Sequence, residues 1–371
     1  MNDIFVVADN IFSPLGSSSA ENFAQLRKGV SGVRRQERPD IADQPFFAAL
    51  FAPAPTTGPL TRFEELLVSS MDAALRDAGL DPADPRTILI ISTTKGNIPL
   101  LEAGIGDPAR LSLTGSAQVV AARFGFVNRP IVISNACISG ILALIAGMRL
   151  IRSGKYDTAV VTGADLISKF VLSGFASFQA VSSGPCRPFD EARNGINLGE
   201  GAGTVVLSGK DRYRGRLRLT GGAVSNDANH ISGPSRTGRE LAAAIDRALG
   251  EASCGPADID FISAHGTATI YNDEMEARAI TLAGLQSVPV NSLKGSYGHT
   301  LGAAGLIETI VTLQSMREEL LLPSAGFSRS GVSTPINVCT SLQPGPLRHC
   351  LKTGSGFGGC NAALVISKSE N

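Results

Sequence analysis

The 371-residue chain has no tryptophan, and aromatic residues make up only 5% of it. Together with 41 glycines, that scarcity suits a turn-rich α/β enzyme better than an all-β sandwich. Net charge is also absent. Lys+Arg and Asp+Glu both number 33, so the chain lacks the electrostatic footprint of a nucleic-acid or anionic-membrane binder. No apolar run is long enough to span a bilayer. Met1–Val7 lacks the cationic stretch and long apolar core of a secretory signal, so a soluble cytoplasmic protein with no membrane partner is expected. The six cysteines form no C-x-x-C pair, and no His/Cys cluster has zinc-ligand spacing. A metal site and a disulfide framework are therefore not expected.

What the chain does have is alternation. Strand-like runs at 4–8, 87–92, 130–134, 158–163 and 203–207 are separated by helical patterns at 63–78, 117–124 and 140–152. The second half repeats the theme, with strands at 216–223, 259–264, 288–292, 351–354 and 362–366 and helices at 239–251, 273–282 and 303–316. Such alternation predicts mainly parallel sheets covered by helices on both faces. A strand, a chemistry-bearing residue, a glycine and a long apolar helix follow Val132-Ile133-Ser134 and recur after Val290-Asn291-Ser292. The pattern predicts a duplicated chain with halves 1–209 and 210–371 and a site at the seam between them.

Three residues carry the chemistry. Cys137 stands where a β-branched strand stops and a helix begins, a setting in which amides and the helix dipole favour a thiolate. His265 follows an apolar strand in Ala264-His265-Gly266-Thr267, and His299 precedes a helix in Tyr297-Gly298-His299-Thr300. A cysteine hydrolase wants one histidine and an orienting Asn or Asp. Two separate imidazoles beside a cysteine fit a thiol that holds an acyl group while a second carbonyl becomes an enolate.

Several motifs occur in a fixed order: Asn135-Ala136-Cys137; Arg187-Pro188-Phe189-Asp190; Gly199-Glu200-Gly201-Ala202-Gly203; Ala264-His265-Gly266-Thr267-Ala268-Thr269; Lys294-x-x-x-Gly298-His299-x-x-Gly302-Ala303-Ala304-Gly305-x-x-Glu308; and Gly356-Phe357-Gly358-Gly359-x-Asn361. Over the whole chain this set resembles an elongating β-ketoacyl-acyl-carrier-protein synthase of the thiolase superfamily. The resemblance implies a thiolase-like, duplicated α/β/α/β/α layered fold with mainly parallel sheets of the five-stranded type. It also implies an acyltransferase (3-oxoacyl-[acyl-carrier-protein] synthase) in which Cys137 takes an acyl chain, malonyl-ACP decarboxylates, and the chain grows by two carbons. His265 and His299 would stabilise the enolate, Lys294 and Glu308 would order the site, and the amides of Cys137 and Phe357 would form an oxyanion hole. Thr267 and Thr269 would hold the phosphopantetheine arm and Phe175 would gate the acyl tunnel, with Phe357 also facing substrate. No cofactor of its own is implied, since phosphopantetheine arrives on the acyl carrier protein. A homodimer, or a heterodimer with a chain-length-factor-like homologue, is implied as well.

The chain departs from that pattern in places. Asn272 stands before Asp273 where elongating members carry glycine, the loop 182–187 is short, and Gln179 occupies a position that often carries a basic residue. Cys360 takes the place of a threonine and reads as a packing residue. His230 reads as a residue near the site and His349 as a surface residue. Primary fatty-acid synthesis and a specialised polyene or resorcinol-lipid pathway both remain open. A chain-length factor lacks the nucleophile that Cys137 supplies, a degradative thiolase carries a different C-terminal cysteine motif, and an initiating synthase has Asn in place of His299.

Overall fold

The computed structural model describes residues 3–53, 58–104, 107–229 and 233–369. His230 lies outside them. Eleven strands form one sheet: β1 (Ile4–Phe12), β2 (Thr87–Ser92), β3 (Ile131–Ile133), β4 (Thr158–Asp165), β5 (Gly201–Ser208), β6 (Arg218–Asn226), β7 (Phe261–Ser263), β8 (Pro289–Asn291), β9 (Asn337–Val338), β10 (His349–Gly356) and β11 (Cys360–Ser367). Their spatial order is β9-β8-β7-β10-β11-β6-β1-β5-β4-β2-β3. From the centre outward, β1-β5-β4-β2-β3 and β6-β11-β10-β7-β8 use the same order (first, fifth, fourth, second, third strand of each set), so the topology is repeated. The repeats join where β1 meets β6 antiparallel, Phe5 opposite Arg218. Pairing is parallel toward both outer flanks and antiparallel across the middle.

Among the described helices, α1 (Arg62–Ala78), α2 (Leu113–Phe124), α3 (Ser139–Arg152), α5 (Arg239–Ala252), α6 (Ile270–Leu282) and α7 (Ala304–Glu318) pack on this sheet, while α4 (Lys169–Ser177) joins a smaller cluster beside it. Alternation along the strands assigns the layers. Ile88 and Ile90 face a core shared with α3 and α7, whereas Leu89 and Ile91 face α1 and α2. In the second repeat Ala362, Leu364 and Ile366 face α3 and α7, while Ala363 and Val365 face α5 and α6. The result is the expected α/β/α/β/α layering. Both sheet faces are buried, which is why the strands read as unbroken apolar runs. α1 shows how local sequence fixes an element: Thr61 and Glu64 form a capping box at its start, and left-handed Gly79 ends it.

The central pair α3 and α7 positions the site. A Cβ on Gly140 would lie 2.7 Å from the Leu306 backbone nitrogen, and one on Gly305 would lie 2.7 Å from that of Ile141. Only glycine lets the two helix starts approach this closely. Cys137 directly precedes one of those starts and His299 the other.

Candidate active site

The turn before α3 is strained and locked. Ala136 adopts a left-handed φ of 44°, and the Ser139 hydroxyl accepts from the Asn135 N–H (2.8 Å) while donating to the Ala136 carbonyl (2.7 Å). This lifts half-buried Cys137 out of the helix, whose cap is Ile138. His265 sits just past β7, with Gly266 and Ala268 both at positive φ. Glu276 on α6 accepts from the N–H groups of His265 (2.8 Å) and Gly266 (2.7 Å), and Asp273 accepts from those of Thr267 (2.8 Å) and Phe189 (2.7 Å). His299 is pinned by the other repeat: its N–H donates to the Asn197 carbonyl (2.7 Å), and its carbonyl accepts from Gly199 (3.0 Å).

These three side chains, far apart in sequence, converge. The Cys137 sulfur and one nitrogen from each histidine lie within 4.8 Å of one another. The two imidazoles meet edge to face, 5.3 Å between centroids. They lie in a cavity of about 540 Å³ also lined by Thr267, Thr269, Phe175 and Phe357. The two threonine hydroxyls are 2.8 Å apart, Phe175 stacks on Phe357 at 5.5 Å, and its edge faces His299 at 6.3 Å. The Phe357 N–H donates toward the Cys137 sulfur, so it stands where an oxyanion donor is needed.

Beneath the histidines lies a buried charge cluster. Lys294, fully buried, contacts Glu308 and donates to the His265 carbonyl at 3.0 Å. Lys352, equally buried, bridges to the other Glu308 oxygen at 2.8 Å and donates to the carbonyls of Ser263 (2.9 Å) and Ala264 (3.1 Å). The sequence reading missed Lys352, Glu276 and the anchoring task of Asp273. A lysine inside a strand covered on both faces, and acids three residues apart on one helix face, are the signals that mark them.

The N-terminal and C-terminal domains of β-ketoacyl synthases match residues 1–212 and 217–328. The chain belongs to the β-ketoacyl synthase family. A 3-oxoacyl-[acyl-carrier-protein] synthase 2 of Rhizobium meliloti is 29% identical, the match covering 99% of both proteins. Among solved structures, the ketosynthase ApeO of Xenorhabdus doucetiae, determined in complex with its chain length factor, superposes with a TM-score of 0.89 at 27% identity, covering 99% of this chain and 98% of that one. The ishigamide ketosynthase/chain length factor gives 0.89 at 27% identity with both chains fully covered. The synthase is thus a condensing acyltransferase.

Electrostatics in the synthase differ from expectation in one respect. A thiolate at a helix start was anticipated, but burial, with Cys360 nearby, pushes the Cys137 thiol up to about 12. Cys137 lies one residue outside the cap, short of the first-turn amides, so the dipole acts on it weakly. Both histidines move the other way. Burial first, then the charges of Lys294 and Lys352, hold them well below the ordinary imidazole range, with His299 adding to the effect on His265. They are neutral at pH 7. Neither ring nitrogen of His299 has a hydrogen-bond partner among the described residues, so both can serve substrate. Burial raises Asp273 to about 6. Cys360 is buried, and burial raises it to about 11, in keeping with a packing role. His349, expected on the surface, is half-buried at the start of β10 beside the Ser367 hydroxyl.

Proposed function

We propose that this synthase uses Cys137 as the acyl carrier and His265 with His299 as the decarboxylation pair, lengthening a carrier-bound chain by two carbons. The observation that carries the reading is the convergence of one sulfur and two neutral imidazoles within 4.8 Å at the end of an aromatic-lined cavity. The Cys137 proton passes to a neutral imidazole as sulfur attacks the incoming thioester. The displaced pantetheine sulfur takes up that proton. A malonyl thioester then binds with its carbonyl oxygen toward His265 and His299. Its carboxyl C–C bond breaks, carbon dioxide leaves, and the electron pair becomes an enolate that both imidazoles stabilise by hydrogen bonding. The enolate carbon attacks the acyl carbonyl, whose oxygen is received by the Cys137 and Phe357 amides. The C–S bond then breaks and returns Cys137 as the leaving thiolate, which takes a proton from solvent water.

Lys294 and Glu308 order the site, Thr267 and Thr269 receive the phosphopantetheine arm, and Phe175 gates the acyl chain, with Phe357 facing substrate beside it. The synthase needs no cofactor of its own, because that arm comes with the acyl carrier protein. Solved relatives paired with a chain length factor support a heterodimer with such a homologue, and a homodimer is the alternative assembly. The cytoplasm is the expected site of action; no helix among the described residues is long and apolar enough to cross a membrane.

Intact-mass spectrometry after incubation with acyl-carrier protein tests the assignment. Wild type gains one acyl group, Cys137→Ala gains none yet still decarboxylates malonyl-carrier protein, and His299→Ala is acylated slowly but no longer decarboxylates. Acylation of Cys360 with none on Cys137 overturns it.

A further inference from the structure

Lys352 is a fully buried charge near the histidines whose task is not yet explained. It sits in β10, between β7 and β11, where both sheet faces are covered. Burying a second ammonium against a carboxylate already bound to Lys294 carries a desolvation cost that an apolar side chain of the same volume would avoid. A buried ion pair of this kind is weak evidence for stability, so the contacts of Lys352 are the better guide to its task. Its contacts all point to one place. Nζ reaches the carbonyls of Ser263 and Ala264, the two residues just before His265, and the free oxygen of Glu308. Its neighbour Thr353 donates to Glu276 (2.7 Å), the acid that holds the His265 and Gly266 amides. The charged and titratable groups facing Lys352 are Lys294, Glu308, Glu276, His265 and His299; burial lowers the Lys352 ammonium, and the Glu308 carboxylate opposes that by favouring its charge.

We infer that Lys352 is a positioning residue of the condensation site. Through Ser263 and Ala264 it fixes the strand end that carries His265, and with Lys294 on the shared Glu308 it keeps a second cation beneath both imidazoles. This inference rests on the roles proposed above for the two histidines. Its cation disfavours imidazolium at both positions, in the direction already seen for His265 and His299. A neutral imidazole can still donate to the enolate oxygen, whereas imidazolium would trap the bound malonyl carboxylate as an ion pair and oppose its loss.

The test uses Lys352→Met and Lys352→Arg in the full chain, with acyl carrier protein as substrate. The chain has only four histidines, so carbon-13 labelling of the imidazoles resolves His265 and His299 by NMR. In Lys352→Met both titration midpoints rise. The acid limb of malonyl decarboxylation moves up with them, so the variant loses rate relative to wild type on that limb only, with KM unchanged. Lys352→Arg restores the midpoints. A folded Lys352→Met with wild-type midpoints, or with an equal loss of rate at every pH, overturns the inference. Should methionine prevent folding, Lys352→Gln, which keeps a donor for the carbonyls but no charge, is read against the same outcomes. Failure of wild type to form acyl-Cys137 would instead sink the proposed function, so the two failures are distinguishable.

Discussion

At the scale of single residues, the site divides labour between a sulfur held as thiol and imidazoles held as free base. Burial disfavours charge on all three, which raises the acid form of Cys137 and lowers the midpoints of His265 and His299. The signs matter. Histidines depressed in the fold bind fewer protons than in the unfolded chain below pH 6.5. Their burial is therefore fully tolerated above that pH and destabilises as pH falls toward their folded midpoints. Asp273, raised to about 6, works in the opposite sense: its protonation between about pH 6 and 4 favours the fold. For the nucleophile, a midpoint of about 12 means that iodoacetamide labelling of Cys137, followed by peptide mass spectrometry, accelerates about tenfold per pH unit from 7 to 9 without levelling. A plateau below pH 8 would show a resting thiolate instead.

The decisive element-scale contact is the crossing of α3 and α7. Their starts touch through Gly140 and Gly305, and that contact holds Cys137 within reach of His299. Gly140→Val drives a side chain into the Leu306 backbone and is expected to cost about 1–3 kcal/mol of stability, with a larger relative loss of condensation. Gly250→Ala in α5, where an added Cβ meets nothing within 4 Å, is the control and should stabilise by about 0.5–1 kcal/mol. Denaturant midpoints and kcat, measured side by side, check the pair. The elements that set up this crossing were legible because both strand faces are apolar: β2 falls at residues 87–92 as read, and α3 begins one residue before the predicted start. α4 was not, because Lys169–Ser177 carries an apolar triplet, a glycine and an apolar pair with no clear period. The far end of β1 was hidden by Asp9 and Asn10, whose buried side chains find Ser19 and the Ser17 carbonyl only in the folded chain. The trio Cys137, His265 and His299 was readable from its flanking glycines. Lys352 shows only as a lysine inside an apolar strand, since its partners lie 44 and 88–89 residues away and no local pattern says which they are.

For the whole molecule, the site exists only while the two repeats are docked, because the sulfur comes from one and both imidazoles from the other, with Asn197 and Gly199 gripping the His299 backbone across the seam. One edge of the assembly is left open. β3 ends the sheet order and pairs only with β2 among the described residues, its three residues half-buried and Ser134 and Asn135 exposed beyond it. An unpaired edge is a template for another strand. This one leads within four residues to Cys137, so a partner strand laid along it would also brace the strained turn at Ala136. Light scattering should therefore give twice the chain mass, or a one-to-one complex when a chain-length-factor-like homologue is co-expressed. Condensation per chain should fall on dilution as the partner leaves, recovering on concentration. A chain that stays single and keeps full activity per molecule at nanomolar concentration would show that the turn stands without a partner.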